Sequence, residues 1–251
     1  GKLSSLTKLR QASTSALLVQ DAGDDDDDDP LRGSGKLVVL RGLLGAIRRT
    51  GGRKERVVVV CSFRETIQLV GELAEREGWD WLLLDGATQQ GMRQAVVDAF
   101  ERGAKVDSGP FLLVTTARAG GMGLNMTAAR YLVLLERDWN PAIDDQAMAR
   151  VYRMGQQRDV TIFTLVTARS LDQAILSVQA RKRREVSRIG FTRGSTDAID
   201  AALLGGEGEE GAAGEGDAYG RDAKAGYIDV EQDALLRAML AQLRKDWQEG
   251  T

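Results

Sequence analysis

Along residues 31–200, short apolar runs alternate with stretches whose apolar residues recur at helical spacing. The runs are "RVVVVCS" (Arg56–Ser62), "WLLLDG" (Trp81–Gly86), "FLLVT" (Phe111–Thr115), "YLVLLE" (Tyr131–Glu136) and "VTIFTLV" (Val160–Val166). Each reads as a strand, rich in branched or large apolar side chains as buried parallel strands are. Between them Ile67, Val70, Leu73 and Ala74, and then Val96, Val97 and Phe100, mark helices. A further helix is predicted from Pro141, a residue suited to a first turn, to about Met154. After the last strand, Ser170 and Gln173 form a capping box, and Leu171, Ala174, Ile175 and Val178 give the stripe which that helix should bury. Strands alternating with helices predict an α/β domain, a parallel sheet covered by helices on both faces.

Two segments break the pattern. Asp24–Asp29 is an unbroken acidic run, predicted to be a disordered loop because like charges repel and bury nothing. "GGEGEEGAAGEGDAYG" (Gly205–Gly220) reads as a flexible acidic linker. Beyond it Leu236, Leu240, Leu243 and Trp247 share one face of a predicted docking helix within Asp229–Trp247. The expected division is an N-terminal remnant with the Asp run at 1–30, one α/β domain with its trailing helix at 31–200, the acidic linker at 201–226, and the C-terminal helix at 227–251.

Charge changes this picture. The 251 residues sum to −3, but the Asp run and Glu207, Glu209, Glu210, Glu215 and Asp217 hold eleven of the negatives; without them the chain stands at +8. The folded part is therefore basic, as a nucleic-acid binder should be. Histidine is absent and Cys61 is the only cysteine. That excludes Ser-His-Asp and Cys-His hydrolysis, histidine metal sites, zinc ribbons and an internal disulfide. No apolar run reaches the length of a membrane span.

"RGSGKLVVL" (Arg32–Leu40) ends like a phosphate-cradling loop, but Pro30 stands where the first glycine belongs and Leu37 where a hydroxyl should bind magnesium. The P-loop reading fails. Ligands in open parallel sheets sit at the carboxyl ends of strands, which singles out "SFRET", "LDGATQQGMR", "TTARAGGMGLN" and "RDWNPAIDDQAMARVYRMGQQ". In the third, Gly121 and Gly123 follow a strand, yet Met126 replaces the third glycine of a dinucleotide fingerprint. Two glycines still let a backbone approach a phosphate closely. In the fourth, Gln146, Arg150 and Arg153 fall at i, i+4 and i+7 beside a stripe of Ile143, Ala147, Val151 and Met154. Two guanidiniums held together suit the oxygens of a triphosphate. The same spacing fits a solvated basic face paired with Asp144 and Asp145, and spacing alone favours neither.

The run "LLVTTARAGGMGLNMTAARYLVLLERDWNPAIDDQAMARVYRMGQQ" strongly resembles the C-terminal RecA-like lobe of the SWI/SNF-type DNA-dependent ATPases, within the superfamily-two helicases. "TKLRQ", "SGKL", "LDGATQQGMRQAVVDAF" and "QARKRR" fall in the family's order, and "DDQAMARVYRMGQ" is most similar to the recombination-repair translocase branch. The resemblance covers roughly residues 1–200. It implies a RecA-like sheet with a C-terminal brace helix, and a second motor lobe of an ATP-driven translocase on double-stranded DNA. By position it makes Arg150 and Arg153 the arginines that reach ATP, with Gln146, Gly121, Gly123 and Asn125 around the nucleotide. It places Ser62, Arg64, Gly86, Thr88, Thr115, Thr116 and Arg118 on the DNA phosphates, and Trp139 and Asn140 in a coupling segment. It also implies ATP with Mg2+, a first RecA-like lobe as partner, recombinase or chromatin proteins as further partners, and work in repair, recombination or chromatin remodelling in the nucleus. No membrane partner and no metal held by this lobe are expected.

The chain departs from the family at Tyr152 (usually His), Ala149 (Asp), Arg118 (Lys) and "QASTSALL", which replaces a Cys-Asn-His-Pro segment. No Gly-x-x-x-x-Gly-Lys-[Ser/Thr] and no Asp-Glu box after a strand occur. Mg-ATP must then be held mainly by a first lobe missing from these residues, and the isolated chain, a fragment or a truncated product, is expected to be inactive. A non-catalytic DNA- or protein-binding lobe is the alternative; a dinucleotide enzyme using Gly121 and Gly123 is the weakest reading.

Overall fold

The computed structural model describes residues 2–19, 29–105, 109–119, 124–153, 155–188, 241 and 244–245. The five expected strands all form, each within two residues of its apolar run: β1 (Val57–Cys61), β2 (Trp81–Leu84), β3 (Leu112–Thr116), β4 (Tyr131–Leu134) and β5 (Thr161–Thr164). They make one parallel sheet in the order β2-β3-β1-β4-β5. Val59 at the centre lies opposite Val114 on one side and Val133 on the other. Six α-helices accompany it: α1 (Lys2–Thr14), α2 (Gly35–Gly51), α3 (Arg64–Arg76), α4 (Gln90–Lys105), α5 (Pro141–Val151) and α6 (Leu171–Arg188).

The pleat divides the apolar strand residues into two cores. Val57, Val59 and Cys61 join Leu40, Leu44 and Ile47 of α2 and Val70 and Leu73 of α3 on one face. Val58 and Val60 join Phe100 of α4 and Ala147, Met148 and Val151 of α5 on the other. A sheet covered twice explains why the strands read as unbroken apolar runs rather than as alternating ones.

Within residues 1–30, read above as an N-terminal remnant, α1 is bonded into the lobe, and two expectations about helices need correction. Arg10 donates to Ser62 Oγ and to the Arg137 carbonyl at 3.1 and 2.8 Å, and buried Thr14 donates to Glu136 at 2.8 Å. The helix from Pro141 stops at Val151, where Tyr152 turns extended, so Arg153 lies beyond it. The buried stripe of α6 is also rotated: Ala174 is exposed and Leu171 only half-buried, while Ile175, Leu176 and Ala180 are buried together with Asp172, Gln179 and Arg183. Its start is close to the predicted box. Ser170 Oγ accepts from the Asp172 amide, and Gln173 accepts from the Arg169 amide, one residue earlier than the motif requires. Asp24–Asp28, the acidic linker, and Leu236, Leu240, Leu243 and Trp247 lie outside the described residues.

The Gly-Ser-Gly-Lys stretch starts α2. Ser34 is its N-cap, accepting from the Leu37 amide at 3.1 Å. Lys36 points inward, 2.7 Å from Asp172 and donating to the Leu135 carbonyl at 2.8 Å.

Candidate nucleotide and nucleic-acid interface

The predicted residues fall into two groups, one at each end of α5. Because β4 and β5 are parallel neighbours, α5 must run from the carboxyl end of β4 back towards the amino end of β5. Eleven helical residues cover about 16 Å. The arginines therefore stand well away from the loop that follows β4, and the site is split.

At the carboxyl ends, Ser62 closes β1, accepts from Arg10 and donates its amide to Glu136 Oε2 at 2.6 Å. Arg64 opens α3 and is exposed. Gly86 is exposed and Thr88 half-buried, in a turn organised by Asp85, whose carboxylate accepts from the amides of Ala87 and Thr88 at 3.0 and 2.9 Å. Arg93 pins this turn, donating to the carbonyls of Thr88, Gly86 and Ala119. Thr116 is half-buried, its hydroxyl accepting from the Ala119 amide. Arg118 has a side chain 77% exposed, with Asp138 3.6 Å away. Thr115 is not brought to this surface: it is buried, and its hydroxyl donates to the Leu84 carbonyl at 2.6 Å. Half-buried Trp139 accepts at its carbonyl from Lys182 at 2.8 Å, and exposed Asn140 caps α5 by accepting from the Ala142 amide at 3.2 Å.

At the other end, Arg150 and Arg153 remain neighbours although the helix does not carry both. The Arg150 carbonyl accepts from the Met126 amide at 3.0 Å, which ties the end of α5 to the segment holding Asn125. Arg153 is exposed and donates to the Asn125 side chain. Gly155, at φ +101°, closes the turn, and Gln156 donates to the carbonyls of Thr127 and Ala129, both at 3.0 Å. Arg150 is half-buried, and its Nε and one terminal nitrogen are buried with no hydrogen-bond partner among the described residues. Burial first, and the Arg153 charge second, push the pKa of its guanidinium down. An orphaned buried donor costs about 1–3 kcal/mol. An anion here would satisfy the donors and relieve the repulsion. Gln146 is exposed on α5, and Gly121 and Gly123 lie outside the described residues.

The carboxylates that could have neutralised the arginines are engaged elsewhere. Asp144 is buried and accepts from Arg137 Nε at 3.0 Å, the Asp138 amide at 3.2 Å and Gln179 at 2.7 Å. Asp145 is paired with Arg183 at 2.6 Å. Burial pushes the pKa of the Asp144 carboxyl up, partly offset by Gln179 and Arg137. Arg10, Arg93, Glu136, Asp144 and Gln179 were not foreseen as supports of the site; polar residues facing inward leave no periodic signal. No cluster of three or more metal-binding side chains occurs among the described residues, and no described helix is long and apolar enough to cross a membrane.

The parallel sheet has a RecA-like α/β fold, and residues 35–155 match the model of the helicase conserved C-terminal domain. The fold and the matches below support a C-terminal lobe like those of the SWI/SNF-type recombination-repair ATPases. It is 41% identical over 150 residues to the DNA repair and recombination protein RAD54B of Gallus gallus, covering 60% of this chain and 16% of that protein. It is 39% identical over 149 residues to the DNA repair and recombination protein RDH54 of Saccharomyces cerevisiae (strain ATCC 204508 / S288c), covering 59% and 15%. The chain thus spans less than a fifth of the length of these relatives. The structure of the C-terminal part of the Fun30 ATPase domain matches with a TM-score of 0.56 and 29% identity, over 61% of this chain and 47% of that one.

Proposed function

We propose that this lobe is the second half of an ATP-dependent motor that tracks along double-stranded DNA in repair and recombination, within the nucleus. Its substrate would be ATP with Mg2+, held mainly by a first RecA-like lobe outside these residues. The observation that carries the reading is the Arg150–Arg153 pair, with buried donors on Arg150 that find no partner among the described residues. Guanidiniums offer a planar fork matched to phosphate oxygens, so these residues fit the polyphosphate end of the nucleotide. Mg2+, held mainly by the first lobe, would supply positive charge to the polyphosphate.

In the mechanism, closure of the two lobes brings Arg150 and Arg153 against the γ-phosphoryl oxygens as water attacks. Their donors then stabilise charge that develops in the transition state. Asn125 accepts from Arg153, and a phosphate oxygen would take its place as the acceptor. Exposed Arg64 and Arg118 at the other end of α5 would hold DNA phosphates. Recombinase or chromatin proteins are the partner classes such a motor meets, and remodelling of chromatin is a further activity to test.

The experiment joins the chain to a first lobe and compares Arg153→Ala and Arg153→Lys. Turnover in the presence of DNA should fall about 10³–10⁵-fold with ATP affinity nearly intact, and Lys should rescue little because it lacks the fork. Near-normal turnover in Arg153→Ala would refute the catalytic reading and leave a DNA- or protein-binding lobe.

A further inference from the structure

Gln179 lies on α6 and is 0% exposed. Its amide nitrogen donates both to Asp144 on α5 and to the Asp138 carbonyl in the loop after β4, an arrangement that fixes the amide's orientation. Its own oxygen is buried without a partner among the described residues. An apolar residue of the same size would avoid that cost of about 1–3 kcal/mol, so the two donated bonds are what the position provides.

The neighbouring turn of α6 repeats the grip. Lys182 donates to the Trp139 carbonyl at 2.8 Å, and Arg183 pairs with Asp145 at 2.6 Å. Residues at i, i+3 and i+4 of one helix thus hold the loop before α5 and its first turn. The loop reaches the DNA-side arginine, since Asp138 lies 3.6 Å from Arg118. The helix reaches the nucleotide-side arginine, since Arg150 lies near its far end.

We propose that Gln179, with Lys182 and Arg183, is a positioning clamp that sets the placement of α5 and thereby of Arg150 relative to the Asp138–Arg118 contact. The geometric claim stands apart from the function proposed above; its catalytic consequence rests on that reading. Polar contacts suit this task better than apolar ones, because a hydrogen bond to a charged group fixes direction as well as distance. Ala147, Met148 and Val151 seat α5 on the sheet and the Met126 amide holds its far end, so the clamp is what fixes its amino end. The rest of α6 is anchored independently: Asp172 is paired with Lys36 and accepts from Ser13 at 3.0 Å.

The test uses the 251-residue chain and does not depend on turnover. Gln179→Met keeps length and bulk but removes both donors. The Arg150 Nε–H NMR signal should shift or broaden, and backbone hydrogen exchange over residues 145–151 should rise about tenfold, the effect of losing one charge-assisted hydrogen bond. Amides of β1 and β3 should exchange as before. Ser177→Ala, on the exposed side of the same helix, should move neither. Lys182→Met should reproduce the effect more weakly, and it decides the matter if Gln179→Met does not fold. An unmoved Arg150 signal with unchanged exchange in α5, or a rise spread evenly over the sheet, overturns the proposal. The turnover test of Arg153 can fail while the clamp stands, and the reverse, so the two failures are distinguishable.

Discussion

Lys36 at the start of α2 and Arg150 at the end of α5 are both cations drawn out of water, and their surroundings differ completely. Lys36, its side chain 3% exposed, is paired with Asp172 and donates to a carbonyl. Arg150 has two buried nitrogens with no partner among the described residues, the charge of Arg153 acts against its own, and the aspartates of its own helix are held by Arg137, Gln179 and Arg183. The stretch that looks like a phosphate loop is a piece of architecture, while the helix with an ordinary basic pattern keeps donors in reserve. A buried cation matched by a carboxylate and a carbonyl is structure; one with buried nitrogens left over asks for a ligand.

The comparison breaks if Lys36 proves dispensable. Lys36→Ala leaves Asp172 unpaired with only 10% of its side chain exposed. Removing one member of a buried pair costs about 3–5 kcal/mol, read as a lower midpoint in urea denaturation. A loss below about 1 kcal/mol would mean that the pair behaves like a surface bridge.

A smaller effect concerns Asp144. Its pKa is raised in the fold, so the native state holds the proton more tightly than the unfolded chain does. Taken alone, this group favours folding on the acid side and withdraws that contribution as pH rises through its folded pKa. Gln179 offsets the shift by donating to the charged form. The stability lost in Gln179→Met should therefore be largest above the folded pKa and shrink as Asp144 takes up its proton. Denaturation curves at a series of pH values check the sign; a penalty that grows towards acid contradicts it.

The smallest effect sharpens the division between the two ends of α5. Arg64→Ala and Arg118→Ala should each reduce the slope of log affinity for duplex DNA against log salt by about 0.9. Lys36→Ala should leave the slope unchanged. Fluorescence anisotropy with duplexes of unrelated sequence provides the measurement, and a strong preference for one sequence would count against phosphate contacts.

The sheet was readable because burial on both faces writes itself as apolar runs, and Val57–Cys61 is the plainest case. The arginine pair was readable as a pair, but its geometry was not. Periodicity carried the helix through Arg153, whereas Tyr152 leaves helical geometry and Gln156 bonds back to Thr127 and Ala129, a polar closure with no repeating pattern. The same blindness explains α6. Asp172, Gln179 and Arg183 occupy buried positions that a hydrophobic stripe assigns to solvent, because their partners come from Lys36, Asp144 and Asp145, distant in sequence. Thr115 looked like a loop-end hydroxyl, yet β3 extends to Thr116 and turns that hydroxyl towards β2.

The most direct measurement is Arg150→Met, assayed for thermal midpoint in the 251-residue chain and for DNA-stimulated turnover once joined to a first lobe. Because the guanidinium makes no compensating bonds at its buried nitrogens among the described residues, Met should leave the midpoint unchanged or raise it while turnover falls by orders of magnitude. A midpoint lowered by the equivalent of several kcal/mol, with turnover near that of the parent, would show that Arg150 holds the fold together as Lys36 does, and would contradict the account.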